Sequence, residues 1–112
     1  MDELNKHKCV DCRKGTPMLT DSEIAELKPQ VSEWQIVSSE GIPRLERVFS
    51  FSNFAQAMAF SVKVGELAEQ EGHHPAVLTE WGKVTVWWWT HKIGGLHRND
   101  FIMAAKTDRL FS

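Results

Sequence analysis

The stretch "NFAQAMAFSVKVGELAEQEG", residues 53–72, limits the fold more than any other part of the chain. Ala57, Phe60, Val64 and Leu67 recur at spacings of three and four, and Phe54, Met58, Gly65 and Ala68 widen the apolar face. Asn53 stands where a helix cap belongs, with Gln56 at the third helical position, and Gly72 and Pro75 close the run. The pattern predicts a helix of about five turns. A helix with so broad an apolar face has to lie across a sheet or other helices.

The flanking segments supply the sheet. "EWQIV" and "RLERVFSF" are rich in alternating and β-branched residues and are separated by "SSEGIP", which predicts a β-hairpin with Gly41 and Pro43 in its loop. After Pro75, "AVLTEW" and "KVTVWWWTH" predict two more strands joined tightly around Trp81 and Gly82. In the last of these, Val84, Val86, Trp88 and Thr90 share one face and Thr85, Trp87, Trp89 and His91 the other. The first set is expected to meet the helices. The second leaves two tryptophans to be covered by a ligand or another subunit.

Two shorter helices complete the order. "TDSEIAELKPQ" opens with Thr20 and Glu23 at capping-box spacing and stops near Pro29. "LHRNDFIMAAKTDRLF" carries Phe101, Ala104, Ala105 and Leu110 in helical register, starting near Asn99 or Asp100. The order α-β-β-α-β-β-α predicts an α+β domain, a four-stranded antiparallel sheet with helices packed on one face. It occupies residues 20–112, behind an irregular leader at 1–19.

Size and charge narrow the function. A chain of 112 residues forms one domain, and a formal charge of −2 gives no electrostatic footprint for direct nucleic-acid binding. "MDELNKHKCV" is charged where a signal peptide needs an apolar core, and no stretch approaches a membrane span, so the chain reads as cytoplasmic. Cys9 and Cys12 form a lone C-x-x-C in the leader. Two reduced cysteines in a mobile leader are the simplest reading; half a metal site completed by His7, or a redox pair, are the alternatives.

The chemistry gathers at "EGHHPAVLTEW". Glu69 lies four residues before His73, so a last helical turn is expected to bring its carboxylate to the imidazole. His91 ends the tryptophan-rich strand, and Asp100 follows nine residues later. Histidines and acids around one pocket can move protons on and off a substrate. Histidine at a helix exit can also do no more than complement the macrodipole, and His97 in "GLHRND" reads as a surface residue. Zinc suits the cluster poorly: adjacent His73 and His74 diverge, and no H-x-x-x-H pair exists. The residues alone support an acid/base pocket.

The combination of "EQEGHHP", an aromatic at Trp81, His91 at the end of the next strand and "GLHRND" after it resembles the pterin-4a-carbinolamine dehydratase family, in its bacterial form, over residues 20–110. The resemblance implies a hydro-lyase that eliminates water from 4a-hydroxytetrahydropterin to give quinonoid dihydropterin, recycled for aromatic amino acid hydroxylation. It implies His73, His74 and His91 as catalytic histidines. Glu69 and Asp100 are the accompanying acids, and Pro75, Trp81 and Trp89 lie on the substrate-binding side. Within it, His73 and His91 are read as the acid/base pair and His74 as a pterin contact. No metal or redox cofactor is implied, the pterin being the substrate.

The resemblance also implies a homo-oligomer, dimer or tetramer, with phenylalanine hydroxylase as a candidate partner. A second function class comes with it, since some members of the family act as dimerisation cofactors of a transcription factor. The alternative reading is therefore a protein-interaction module that regulates a partner.

Overall fold

The computed structural model describes residues 3–10 and 17–111. Three helices, α1 (Asp21–Leu27), α2 (Phe54–Glu71) and α3 (Arg98–Phe111), accompany four strands, β1 (Gln35–Ser39), β2 (Ile42–Ser50), β3 (Ala76–Glu80) and β4 (Lys83–Trp88). All neighbours pair antiparallel in the order β1-β2-β4-β3. The α+β architecture and its order of elements agree with the sequence reading.

Local chemistry explains the boundaries. Thr20 and Glu23 make the reciprocal capping box that their spacing predicts. Asn53 accepts from the Gln56 backbone N–H, while the Gln56 side chain reaches one residue further back, to Ser52. The first α-helix ends near Pro29, as the sequence predicts. The α-helix stops at Leu27, but a 3₁₀ turn, Lys28–Val31, carries the chain across the proline. Near a turn's first residues proline loses no hydrogen bond.

The hairpin loop is tighter than "SSEGIP" suggests. Only Glu40 and Gly41 turn, both with positive φ (52° and 81°), the type I′ geometry that matches strand twist. Pro43 therefore lies inside β2, opposite Ser38. Next to the hydrogen-bonded pair Ser39–Ile42, that position points its backbone nitrogen away from β1, and β4 pairing begins only at Leu45, so the missing N–H is not required.

The register fixes the faces. Thr79 pairs with Val84 and Arg47 with Val86, so all four side chains point the same way. Thr79 Oγ1 meets Ser61 Oγ of α2 at 2.6 Å, Arg47 meets Asp108 of α3 at 2.6 Å, and Trp88 Nε1 donates to Thr107 of α3 at 3.1 Å. Both long helices thus cover the face that Val84, Val86 and Trp88 present. Those three join Leu45, Phe49, Phe60, Val64, Phe101 and Met103 in the core.

Strand β4 ends at Trp88, three residues earlier than the alternating pattern predicts. Thr90 makes an isolated bridge to Gly95, and His91 opens a 3₁₀ turn, His91–Ile93. The tryptophans of the outer face also have intramolecular cover. Trp87 Nε1 donates to Glu46 across the sheet at 2.7 Å, and the Arg44 guanidinium lies 3.8 Å from the centre of the Trp89 ring.

Candidate functional site

A cleft of 410 Å³ opens where the end of α2, the loop after β4 and the start of α3 converge. His73, His74, Thr90, His91, Lys92 and Asn99 line it, with Cys9, Val10 and Glu71 along another side. Gly72 makes this convergence possible. Its φ of 68° reverses the chain at the helix end, and the N–H groups of Gly72 and His73 both return to the Ala68 carbonyl.

That reversal corrects the expected pairing of Glu69. Past Gly72 the chain has left helical register, so the four-residue relation no longer sets neighbours. Glu69 meets His74 Nε2, at an exposed position, and not His73. His73 turns inward to Asp100, its Nε2 lying 2.6 Å from Oδ1.

Asp100 organises the site. It has no exposed surface, and three donors converge on its two oxygens: His73 Nε2, Thr90 Oγ1 at 2.8 Å and the His97 backbone N–H at 2.9 Å. The last bond is the return half of a cap, because Asp100 stands at the third position of α3 and reaches back to the residue before it. His97 supplies the forward half, its Nδ1 accepting from the Asn99 N–H at 3.0 Å. Burial, opposed by the Asp100 charge and aided by His73, holds the His97 imidazole below its ordinary pKa. His97 is thus a capping group rather than a surface residue.

A carboxylate accepts hydrogen bonds and cannot donate them, so His73 carries its proton on Nε2 and, when neutral, keeps the Nδ1 lone pair. The ring is held flat on Trp88, with centroids 5.9 Å apart and planes 13° apart. His73 is therefore oriented from two directions. His91 is exposed, packs against Trp89 with ring centroids 4.3 Å apart and planes tilted by 31°, and has Nε2 3.4 Å from the His74 carbonyl. One half-buried, oriented imidazole and one solvent-facing imidazole share the cleft.

The other residues singled out from the sequence fall differently. Pro75 precedes β3, next to the histidine pair and half-buried, outside the cleft lining. Trp89 supports His91 from behind. Trp81 does not join the group: it lies 73% exposed in the β3–β4 turn. The cleft is at the other end of that hairpin, roughly 17 Å along β4 by the strand rise.

Sequence reasoning misses Thr90, Asn99 and Glu71, and it expects Cys9 in a mobile leader, whereas Cys9 lines the cleft with its N–H bonded to Glu71. Thr90 alternates with His91 and was read as a packing position, and a buried hydroxyl that bonds a carboxylate leaves no periodic signal. Glu71 is 10% exposed in an ion pair with Lys106 at 2.8 Å. Its burial raises the carboxyl pKa, but hydrogen bonds from Lys106 and the Cys9 N–H, with the charges of Lys106 and Lys8, outweigh this and leave it lowered. Cys12 lies outside the described residues, and His7 Nδ1 faces Arg98 at 3.1 Å.

Comparison with known proteins gives one consistent result. Residues 17–110 match the model of the family described as pterin 4 alpha carbinolamine dehydratase. A Chlorobium luteolum protein, by name a candidate pterin-4-alpha-carbinolamine dehydratase, is 60% identical over 99% of this chain and 97% of its own. A Gloeobacter violaceus protein of the same designation is 60% identical over 96% and 92%. Among solved structures, a Brucella melitensis transcriptional coactivator/pterin dehydratase superposes with a TM-score of 0.77 at 30% identity, covering 86% of this chain and 100% of that one. A pterin dehydratase-like protein identified as a RuBisCO assembly factor in the alpha-carboxysome gives 0.61 at 25% identity, over 71% and 90%.

Proposed function

The chain belongs to the pterin 4 alpha carbinolamine dehydratase family, and we propose that it is a hydro-lyase acting on 4a-hydroxytetrahydropterin by histidine acid/base catalysis. The observation that supports this most is the His73–Asp100–Thr90 network at the wall of an open cleft that also holds His74 and His91. Dehydration breaks the C4a–O bond and removes the N5 proton, leaving a C4a–N5 double bond and water. One group protonates the departing hydroxyl and another accepts the nitrogen proton.

In this reading His73, oriented by Asp100 and Trp88, is one member of the pair, and His91, open to solvent, is the other. His74, paired with Glu69, contacts the pterin, and Trp89 and Pro75 support the histidines beside them. Proton transfer suffices for the elimination, so this reading needs no metal or redox cofactor. The product is recycled to aromatic amino acid hydroxylation, with phenylalanine hydroxylase the candidate partner. The test follows quinonoid dihydropterin formation from freshly generated carbinolamine. Acceleration above the spontaneous rate is expected, and its absence with pterins of different side chains would refute the assignment.

Self-association is the second part of the proposal. Two apolar surfaces are bare. Val48 and Leu78, 50% and 47% exposed, flank Thr85 in one cross-strand row of the outer sheet face. Phe54, Met58 and Val62, four residues apart, form an exposed stripe on α2. A homo-oligomer, dimer or tetramer, buries such surfaces. Light scattering at micromolar concentration is expected to give a mass above the 12.8 kDa chain, and a monomer would contradict this. Among the described residues no helix is long and apolar enough to cross a membrane.

A further inference from the structure

The N-terminal segment is held in the cleft by contacts that the proton chemistry does not use. Leu4 is 1% exposed within the core, which fixes the near end. At the far end the Cys9 N–H donates to Glu71 Oε1 at 3.1 Å, while the other oxygen of Glu71 holds Lys106. Val10 is gripped by one side chain: Asn99 Nδ2 donates to the Val10 carbonyl at 2.7 Å, and Asn99 Oδ1 accepts its N–H at 3.1 Å. Asn99 is 2% exposed, so these two bonds satisfy a buried amide as well as clamping the segment.

With those backbone groups engaged, the segment lines the cleft with Cys9, whose Sγ lies 3.9 Å from the Asn99 carbonyl, and with the exposed isopropyl group of Val10. Burial, reinforced by the Glu71 charge, pushes the Cys9 thiol up to about 12, so it is uncharged at neutral pH and a poor nucleophile. An uncharged, weakly polar edge then shares one cleft with His73, His74 and His91. A flat heterocycle whose polar atoms meet imidazoles needs such a surface against its remaining edge.

We infer that Cys9 and Val10, hung on Asn99 and Glu71, form a wall of the substrate cleft that seats the ring and limits which ring substituents fit. This makes the leader a specificity element, and it rests on the dehydratase reading. The wall takes no part in proton transfer. Its loss therefore appears in binding and in substrate preference, while the pH–rate profile set by His73 and its partners stays in place.

The test compares the full-length protein with Asn99→Ala, which frees Val10, and Val10→Trp, which adds bulk at a position already 64% exposed. Each is assayed with carbinolamines bearing a methyl and a longer hydroxylated side chain. Asn99→Ala should raise KM about tenfold with kcat within about threefold and an unchanged pH profile, the mark of lost uniform binding. Val10→Trp should raise KM for the longer substrate about fivefold more than for the shorter, a difference of pocket fit. If Asn99→Ala fails to fold, Val10→Trp decides alone. Acceleration by the unaltered protein, with KM and substrate preference unmoved in folded Val10→Trp, overturns the wall and leaves the dehydratase reading intact. A fall in kcat at constant KM in Asn99→Ala overturns it too, since the segment would then only support His73. No acceleration by the unaltered protein removes both.

Discussion

Replacing Asp100 with asparagine changes one atom of the site and is expected to leave the fold standing while stopping most of the chemistry. The carboxylate receives three donors. The amide of asparagine must point its NH₂ at one side. On the Oδ2 side it would face the His97 backbone N–H, which cannot rotate away, so the carbonyl stays there and the NH₂ turns toward His73. His73 must then accept on Nε2 and carry its proton on Nδ1, the reverse of its native tautomer. In the buried histidine–aspartate pair of a serine protease the same exchange costs roughly 10⁴ in kcat through the wrong tautomer. With His91 still in the cleft, a loss of roughly 10² to 10⁴ in kcat is expected here. KM should change little. Three bonds lose their charge assistance, for which a stability loss of about 1.5–3 kcal/mol is reasonable, so folding is followed by urea denaturation alongside the stopped-flow dehydration rate. A folded variant whose kcat stays within about threefold of the original, well short of that range, would show that Asp100 does not set the His73 tautomer.

Glu71→Gln should destabilise the protein by about 2 kcal/mol at neutral pH, since it leaves the largely buried Lys106 without its counter-charge. The folded pKa of Glu71 lies below the ordinary 4.5, so its contribution is complete above that value and lost as pH falls through the folded value. The two denaturation midpoints should therefore converge in acid, and a gap that persists or widens there would contradict the pairing. Exhaustive chelation should leave the dehydration rate unchanged, because proton transfer needs no Lewis acid; activity lost to chelator and restored by zinc would refute this.

The parts of the fold legible in the sequence are those fixed by local chemistry. Helix α2 announces itself through a cap at Asn53, a period of three to four and Gly72, and all three hold in the structure. The pleat of β4 is legible from alternation, but its end is not: Trp89 and Thr90 continue the pattern after pairing has ceased at Trp88. What stops the strand is the Thr90–Gly95 bridge, a contact between residues whose pairing no period predicts. Helical spacing matches Glu69 to His73, but the helix ends at Glu71, two residues too soon. The true partner, Asp100, comes from another element, and only the packing of α3 brings it there. The docking of Cys9 and Val10 is invisible for the same reason, since Glu71 and Asn99 reach them across 62 and 89 positions of chain.

The most direct test of the account removes His73 and His91, singly and together, and measures dehydration against the uncatalysed rate. Each folded single variant, His73→Ala or His91→Ala, should lose roughly 10² to 10⁴ in turnover, limited below by the spontaneous reaction. The double variant should approach that floor and cost less than the product of the two, as for groups that act as a unit. Near-normal turnover in both single variants, with either stereoisomer of the carbinolamine and intact circular dichroism, would contradict the claim that these two imidazoles carry the protons.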